Sequence, residues 1–137
     1  MSFAKKTSVS VEKTQMEMRR LLEKYGATAF MFAQESTKAT VAFQMKGRNI
    51  KFNLPMIKIL KEKDRQIERT RWRCLLLAIK AKLECQATGI SSFENEFMAH
   101  IMMPDGHTVS EHISPKISEA YKNGAMPLLL GGTSATP

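Results

Sequence analysis

Two periods of hydrophobic and polar residues alternate along this chain. Met18, Leu21, Leu22 and Tyr25 recur at helical intervals, Thr14-Gln15-Met16-Glu17 has the spacing of a capping box, and Gly26 stands where a C-cap glycine belongs. A helix is predicted over about Val11–Tyr25. From Ala27 the period drops to two: Phe30 and Phe32, then Val41, Phe43 and Met45, then Ile50, Phe52 and Leu54 alternate with smaller or polar residues. The polar stretch 34–38 and the tight Lys46-Gly47-Arg48 separate these runs, which predicts a three-stranded antiparallel meander with one apolar face.

Pro55 closes the third run, and 56–63 reads as a basic connection or a short helix. The strongest helical segment follows, from about Asp64 to Thr88, stopped by Gly89. At 100° per residue Ile67, Cys74, Ala78, Ala81 and Cys85 form one stripe, and Leu75, Leu76, Leu77, Ile79 and Leu83 cover most of the remaining circumference. The pattern predicts a helix buried on several sides, in which a charge at Leu77 would be fatal. Beyond it, Ser91-Ser92-Phe93-Glu94 has capping-box spacing, and Phe93, Phe97 and Ile101 continue at i, i+4 and i+8. Met102-Met103-Pro104-Asp105-Gly106 is turn chemistry, and Thr108-Val109-Ser110-Glu111 and Ser114-Pro115 each read as a helix start. Asn123-Gly124 reads as a stop, and the apolar 126–130 is expected to pack back on the body.

The predicted class is therefore α+β: an N-terminal helix, a three-stranded antiparallel meander, a long buried central helix and a short helical C-terminal segment. At 137 residues the chain suits one domain, expected over 10–130, with a flexible basic arm at 1–9 and a disordered tail at 131–137. No run approaches the roughly 18 apolar residues of a membrane span, and no apolar core follows Lys5-Lys6 as a secretory signal requires. A cytoplasmic protein without a membrane partner is expected. Cys74 and Cys85 lie eleven residues apart on one predicted helix, a separation of roughly 16 Å along the axis at about 1.5 Å per residue. That distance rules out an intrachain disulfide, so both are expected as small core residues.

Charge changes the picture most. Residues 1–82 hold 19 Lys and Arg against 7 Asp and Glu, a net +12, whereas residues 83–137 hold 2 against 6, a net −4. On the long helix Arg69, Arg73 and Lys80 fall within about 40° of one another with Arg65 adjoining, so its polar ridge is cationic. Lys46 and Arg48 flank the hairpin tip and Lys51 points away from the apolar face of its strand, so these extend the same surface if sheet and helix pack side by side. Trp72 lies between two arginines and can stack a base, although its angle on the helix favours the core. Arg71 and Lys82 lie nearer the cysteine stripe and suit a structural role. The candidate nucleic-acid-binding residues are Lys46, Arg48, Lys51, Arg65, Arg69, Arg73 and Lys80.

Other chemistry finds less support. His100, His107 and His112 stand at intervals of seven and five with no CxxC, which does not match a helical zinc pair, so no metal is expected. No serine has a Gly-x-Ser-x-Gly setting, neither cysteine has a histidine beside it, and Gly131-Gly132 and Gly47 form no phosphate loop. Neither an enzyme nor a cofactor is expected. Arg71-Trp72-Arg73, Lys80-Ala81-Lys82-Leu83-Glu84, the run from Gly89 to Phe97 and Pro104-Asp105-Gly106 together resemble a group of small proteins of tailed phages and prophages. The likeness spans most of the chain from the first hairpin to Leu130. That group carries no settled activity, so the resemblance transfers no site residue and implies only a phage accessory protein in the bacterial cytoplasm. The favoured function is a non-enzymatic nucleic-acid-binding accessory protein in replication, recombination or regulation. The alternative is an inhibitor or adaptor bound to a host defence complex or host enzyme, and a homo-oligomeric virion or scaffold component is a third reading.

Overall fold

A computed structural model describes residues 7–128. In chain order the elements are α1 (Val11–Lys24), β1 (Ala29–Gln34), β2 (Lys38–Met45), β3 (Arg48–Pro55), α2 (Glu62–Ala87), α3 (Phe93–Phe97), a 3-10 turn at Met98–His100 and α4 (Val109–Asn123). The chain has an α+β fold. Among the described residues no helix is long and apolar enough to cross a membrane.

Ser10, not Thr14, caps α1: its hydroxyl accepts from the Lys13 N–H at 3.2 Å. Thr14 lies one turn inside, where its own N–H bonds the Ser10 carbonyl and its side chain is buried with Met18 and Leu22. Its Oγ1 and the Trp72 Nε1 are buried without a partner among the described residues. Thr7, in the expected arm, is tied to α2 through its carbonyl, which accepts from Gln66 Nε2 at 2.8 Å. Residues 1–6 and 129–137, which hold the first six residues of the expected arm and all of the expected tail, lie outside the described residues.

The three strands pair in the order β1-β2-β3, all antiparallel. Phe30, Phe43 and Ile50 stand in one row and Phe32, Val41 and Phe52 in the next, so the period-two pattern delivers its large residues to one face. Lys46 and Gly47 join β2 to β3 with φ of 51° and 74°, the two positive values that a type I′ turn demands and that suit a two-residue hairpin. Phe43, Phe52 and Phe97 meet in edge-to-face and stacked contacts at 5.9–6.5 Å, which ties the sheet to α3.

The core face of α2 is Trp72, Leu75, Leu76, Ile79 and Leu83. This corrects the expected stripe: Ala78 and Ala81 are exposed, and Ile67, Cys74 and Cys85 are only half-buried. The reason is volume. Both stripes have helical periodicity, but the one with the larger side chains takes the sheet, since apolar area buried sets the gain. Leu77 accordingly remains 36% exposed, and the fully buried side chains of α2 gather on the Trp72–Leu83 face while Ile67, Cys74 and Cys85 are partly covered.

α3 is capped by Ser92, whose hydroxyl accepts from the Asn95 N–H. After the turn at Pro104-Asp105-Gly106, α4 begins in a reciprocal capping box between Thr108 and Glu111. Ser114-Pro115 does not start a second helix, because Pro115 lies within α4. Proline's φ is helical, and its missing N–H deprives only the Glu111 carbonyl, which at this exposed position water can serve. No residue of α4 is buried, and Met126 and Leu128 beyond it are exposed, contrary to the expected packing of this part of 126–130, of which 129 and 130 lie outside the described residues.

Candidate nucleic-acid interface

The helices α1 and α2 run side by side in the same direction: Thr7 meets Gln66, Glu17 meets Arg73, and Leu21 lies with Lys80 further along. Met18 and Leu22 of α1 turn into the core with Leu76 and Ile79 of α2, which leaves the polar faces of both helices along a shared seam. There a groove of about 260 Å³ is floored by Leu21, Leu76 and Leu77 and walled by Arg20, Arg73, Lys80 and Glu17.

The seam cations are not equivalent. Arg73 pairs with Glu17 at 2.9 Å, and Arg69 pairs with Glu62 at 2.9 Å while also donating to Gln66. Arg20 and Lys80 are exposed and have no ion pair among the described residues. Arg65, also exposed, lines a polar hollow at the α1 N-terminus with Ser8, Ser10, Glu12, Glu68 and Arg69. The structure thus brings Arg65, Arg69, Arg73 and Lys80 onto one seam as the helical period requires.

The other sequence candidates stand elsewhere. Lys46 is exposed at the hairpin turn. Arg48 is held by Glu94 of α3 at 2.7 Å. Lys51 alternates with Ile50 and Phe52 and so points from the sheet face opposite α1 and α2, where its charge acts on Glu111 of α4. None of these three lines the seam groove. Trp72 is fully buried, edge-on to Phe32 at 6.1 Å, and so cannot stack a base. Arg20 escaped the sequence reading because its place depends on how α1 docks. The available signal was the spacing of Glu17, Arg20 and Lys24 opposite Met18 and Leu22.

Arg71 and Lys82 have structural contacts: Arg71 donates to the Pro55 carbonyl and Lys82 to the Glu96 carbonyl at 3.0 Å. The histidine region is likewise engaged in the fold. Glu111 accepts from the Thr108 N–H and contacts His107 at 3.3 Å, and these bonds, with the Thr108 hydroxyl and nearby Lys51, lower its pKa from 4.5 to about 2. Asp105 accepts from the His107 N–H and meets His112 at 2.8 Å, contacts that lower its pKa as well. His100 stacks on Phe52 at 3.9 Å, and desolvation followed by the Lys82 charge lowers its pKa against a bond to the Lys51 carbonyl. Among the described residues no group of three or more His, Cys, Asp or Glu side chains is placed to hold a metal ion.

No family model matches this chain, and no curated protein or solved structure matches it either. The phage and prophage resemblance rests on the quoted residues alone.

Proposed function

We propose that this protein is a small non-enzymatic nucleic-acid-binding accessory protein, of the kind a phage uses in the cytoplasm of its host, and that the α1–α2 seam is its binding surface. The observation that carries this reading is the pair Arg20 and Lys80, which face an apolar-floored groove with no ion pair of their own among the described residues. Such cations favour replacing condensed counterions on a polyanion, and the released ions supply the free energy. Arg73 joins them when a phosphate competes with Glu17, which is half-exposed and easily exchanged. Leu21 and Leu77 offer a surface for sugar edges, and apart from Glu17 the hydrogen-bonding side chains of the groove are charged ends suited to phosphates. Binding is therefore driven by the backbone with little sequence readout.

The test is a gel-shift series with single-stranded DNA, duplex DNA and RNA at about 50 and 200 mM salt, where contacts with several phosphates lose affinity steeply. Retention at low salt that collapses at moderate salt supports the proposal. No retention of any nucleic acid at the lower salt overturns it and leaves the host-protein inhibitor as the reading to pursue.

A further inference from the structure

The sheet has two edges that differ in protection. The outer edge of β3 is covered: Ile50 forms a bridge with Ile101, and the Asn49 carbonyl accepts from the Met102 N–H at 2.8 Å. It also carries Arg48 and Lys51. Among the described residues the outer edge of β1 has neither device. Its sequence, Ala29-Phe30-Met31-Phe32-Ala33-Gln34, contains no charge, no proline and no glycine. An uncharged, uncovered apolar edge is a template for another strand, which is why most proteins guard against it.

The register says which backbone groups are on offer. The Glu35 N–H donates to the Lys38 carbonyl at 2.7 Å, and antiparallel bonded pairs alternate, so Ala33, Met31 and Ala29 turn their backbone groups to β2. Phe30, Phe32 and Gln34 turn theirs outward, and no backbone partner for these outward groups is found among the described residues.

We propose that β1 pairs antiparallel with β1 of a second copy of this chain, about a two-fold axis through Phe32, to make a continuous six-stranded sheet. Phe32 then bonds Phe32 of the other copy, and Phe30 bonds Gln34 on either side, so the outward groups of each strand satisfy those of the other. On the open face Met31, 53% exposed in one chain, lies against Ala33 of the second copy. On the helix face the charges are complementary. Arg19 stands over the Phe30 ring at 5.4 Å, and Glu68 accepts from the Gln34 side chain at 2.9 Å. Pairing Phe30 with Gln34 therefore brings Arg19 of each copy toward Glu68 of the other. Because opposite residues in an antiparallel pair share a face, both α1–α2 seams lie on one side of the joined sheet. The inference itself does not depend on what the seams bind.

The test is sedimentation equilibrium of the full chain over a hundredfold concentration range, with amide exchange of Phe30, Phe32 and Gln34. The expected result is twice the chain mass at high concentration, and protection of those amides that grows with concentration. Met31→Lys with Ala33→Lys, both at exposed positions, should leave circular dichroism unchanged and yield a monomer by setting lysines opposite lysines across the axis. Arg19→Glu and Glu68→Arg should each weaken association about tenfold or more, and the two together should restore it. Single-chain mass at every concentration overturns the proposal, as does amide protection independent of concentration or a dimer indifferent to both sets of variants.

Discussion

Three carboxylates of the C-terminal segment, Glu94, Asp105 and Glu111, each hold a piece of the fold, whereas two cations of the α1–α2 seam, Arg20 and Lys80, form no ion pair among the described residues. Glu94 anchors the β2–β3 hairpin through Arg48, Asp105 fixes the turn before α4, and Glu111 starts that helix. The contrast is one of use rather than of sign. Charges engaged with backbone N–H groups or a nearby ion partner contribute to folding. Unpaired charges on a shared groove add little to stability and are available to a ligand.

Substitutions on neighbouring positions of α2 separate core from seam most sharply. Leu76→Asp should unfold the protein, since it places an unpaired carboxylate at a position 4% exposed, a change that costs more than about 4 kcal/mol. Leu77→Asp should remain folded at a cost of about 1 kcal/mol, mostly helix propensity and partial burial. It should also weaken nucleic-acid binding by adding a negative charge to the groove floor. Urea titration followed by circular dichroism distinguishes the two, and equal loss of structure in both would put Leu77 in the core.

The next effect in size belongs to the seam itself. Arg20→Ala with Arg73→Ala and Lys80→Ala should lower affinity roughly a hundredfold near 50 mM salt, in keeping with the loss of several phosphate contacts. Stability should change by less than about 1 kcal/mol, because the Arg73–Glu17 pair is partly exposed.

Acid should act on the other half. The pKa of Glu111 is lowered from 4.5 to about 2 by the Thr108 N–H first and His107 second, so its contribution is present in full above about pH 4.5 and is lost as pH falls toward 2. Amide exchange should show α4 opening across that window before the sheet does, and Glu111→Gln should reduce this dependence to the part that Asp105 contributes, without changing binding at the seam. The smallest expected effect is that of Glu94→Gln, which releases Arg48 from a half-exposed pair worth less than about 1 kcal/mol. Binding should be unchanged. Tighter binding in this variant would bring the hairpin tip into the interface.

The strands and the long helix were legible because their signals are local: period two in Phe30–Phe52, and a helical repeat ended by Gly89. Which stripe of α2 meets the sheet was not, since Cys74-Ala78-Ala81 and Leu76-Ile79-Leu83 have the same period and only the larger apolar area of the second stripe chooses between them. Ser10 and Thr14 both satisfy a capping pattern, and Ser114-Pro115 imitates a helix start, so local chemistry alone left the α1 cap and the continuity of α4 open. Half of the candidate surface was readable for a similar reason. Arg65, Arg69, Arg73 and Lys80 share one helix and their angles follow from spacing, but Arg20 joins them only through docking of α1, and Lys51 is removed from them by the thickness of the sheet.

Contact between the seam cations and phosphates is read from the slope of log K against log salt for a fluorescent single-stranded oligonucleotide. Wild type should bind near 50 mM salt, and Arg20→Ala, Lys80→Ala and their double variant should flatten the slope by about 0.7 for each contact removed, with Glu94→Gln and Glu111→Gln parallel to wild type. No measurable binding, or a slope that the seam variants leave unchanged, would mean that these cations do not contact phosphates.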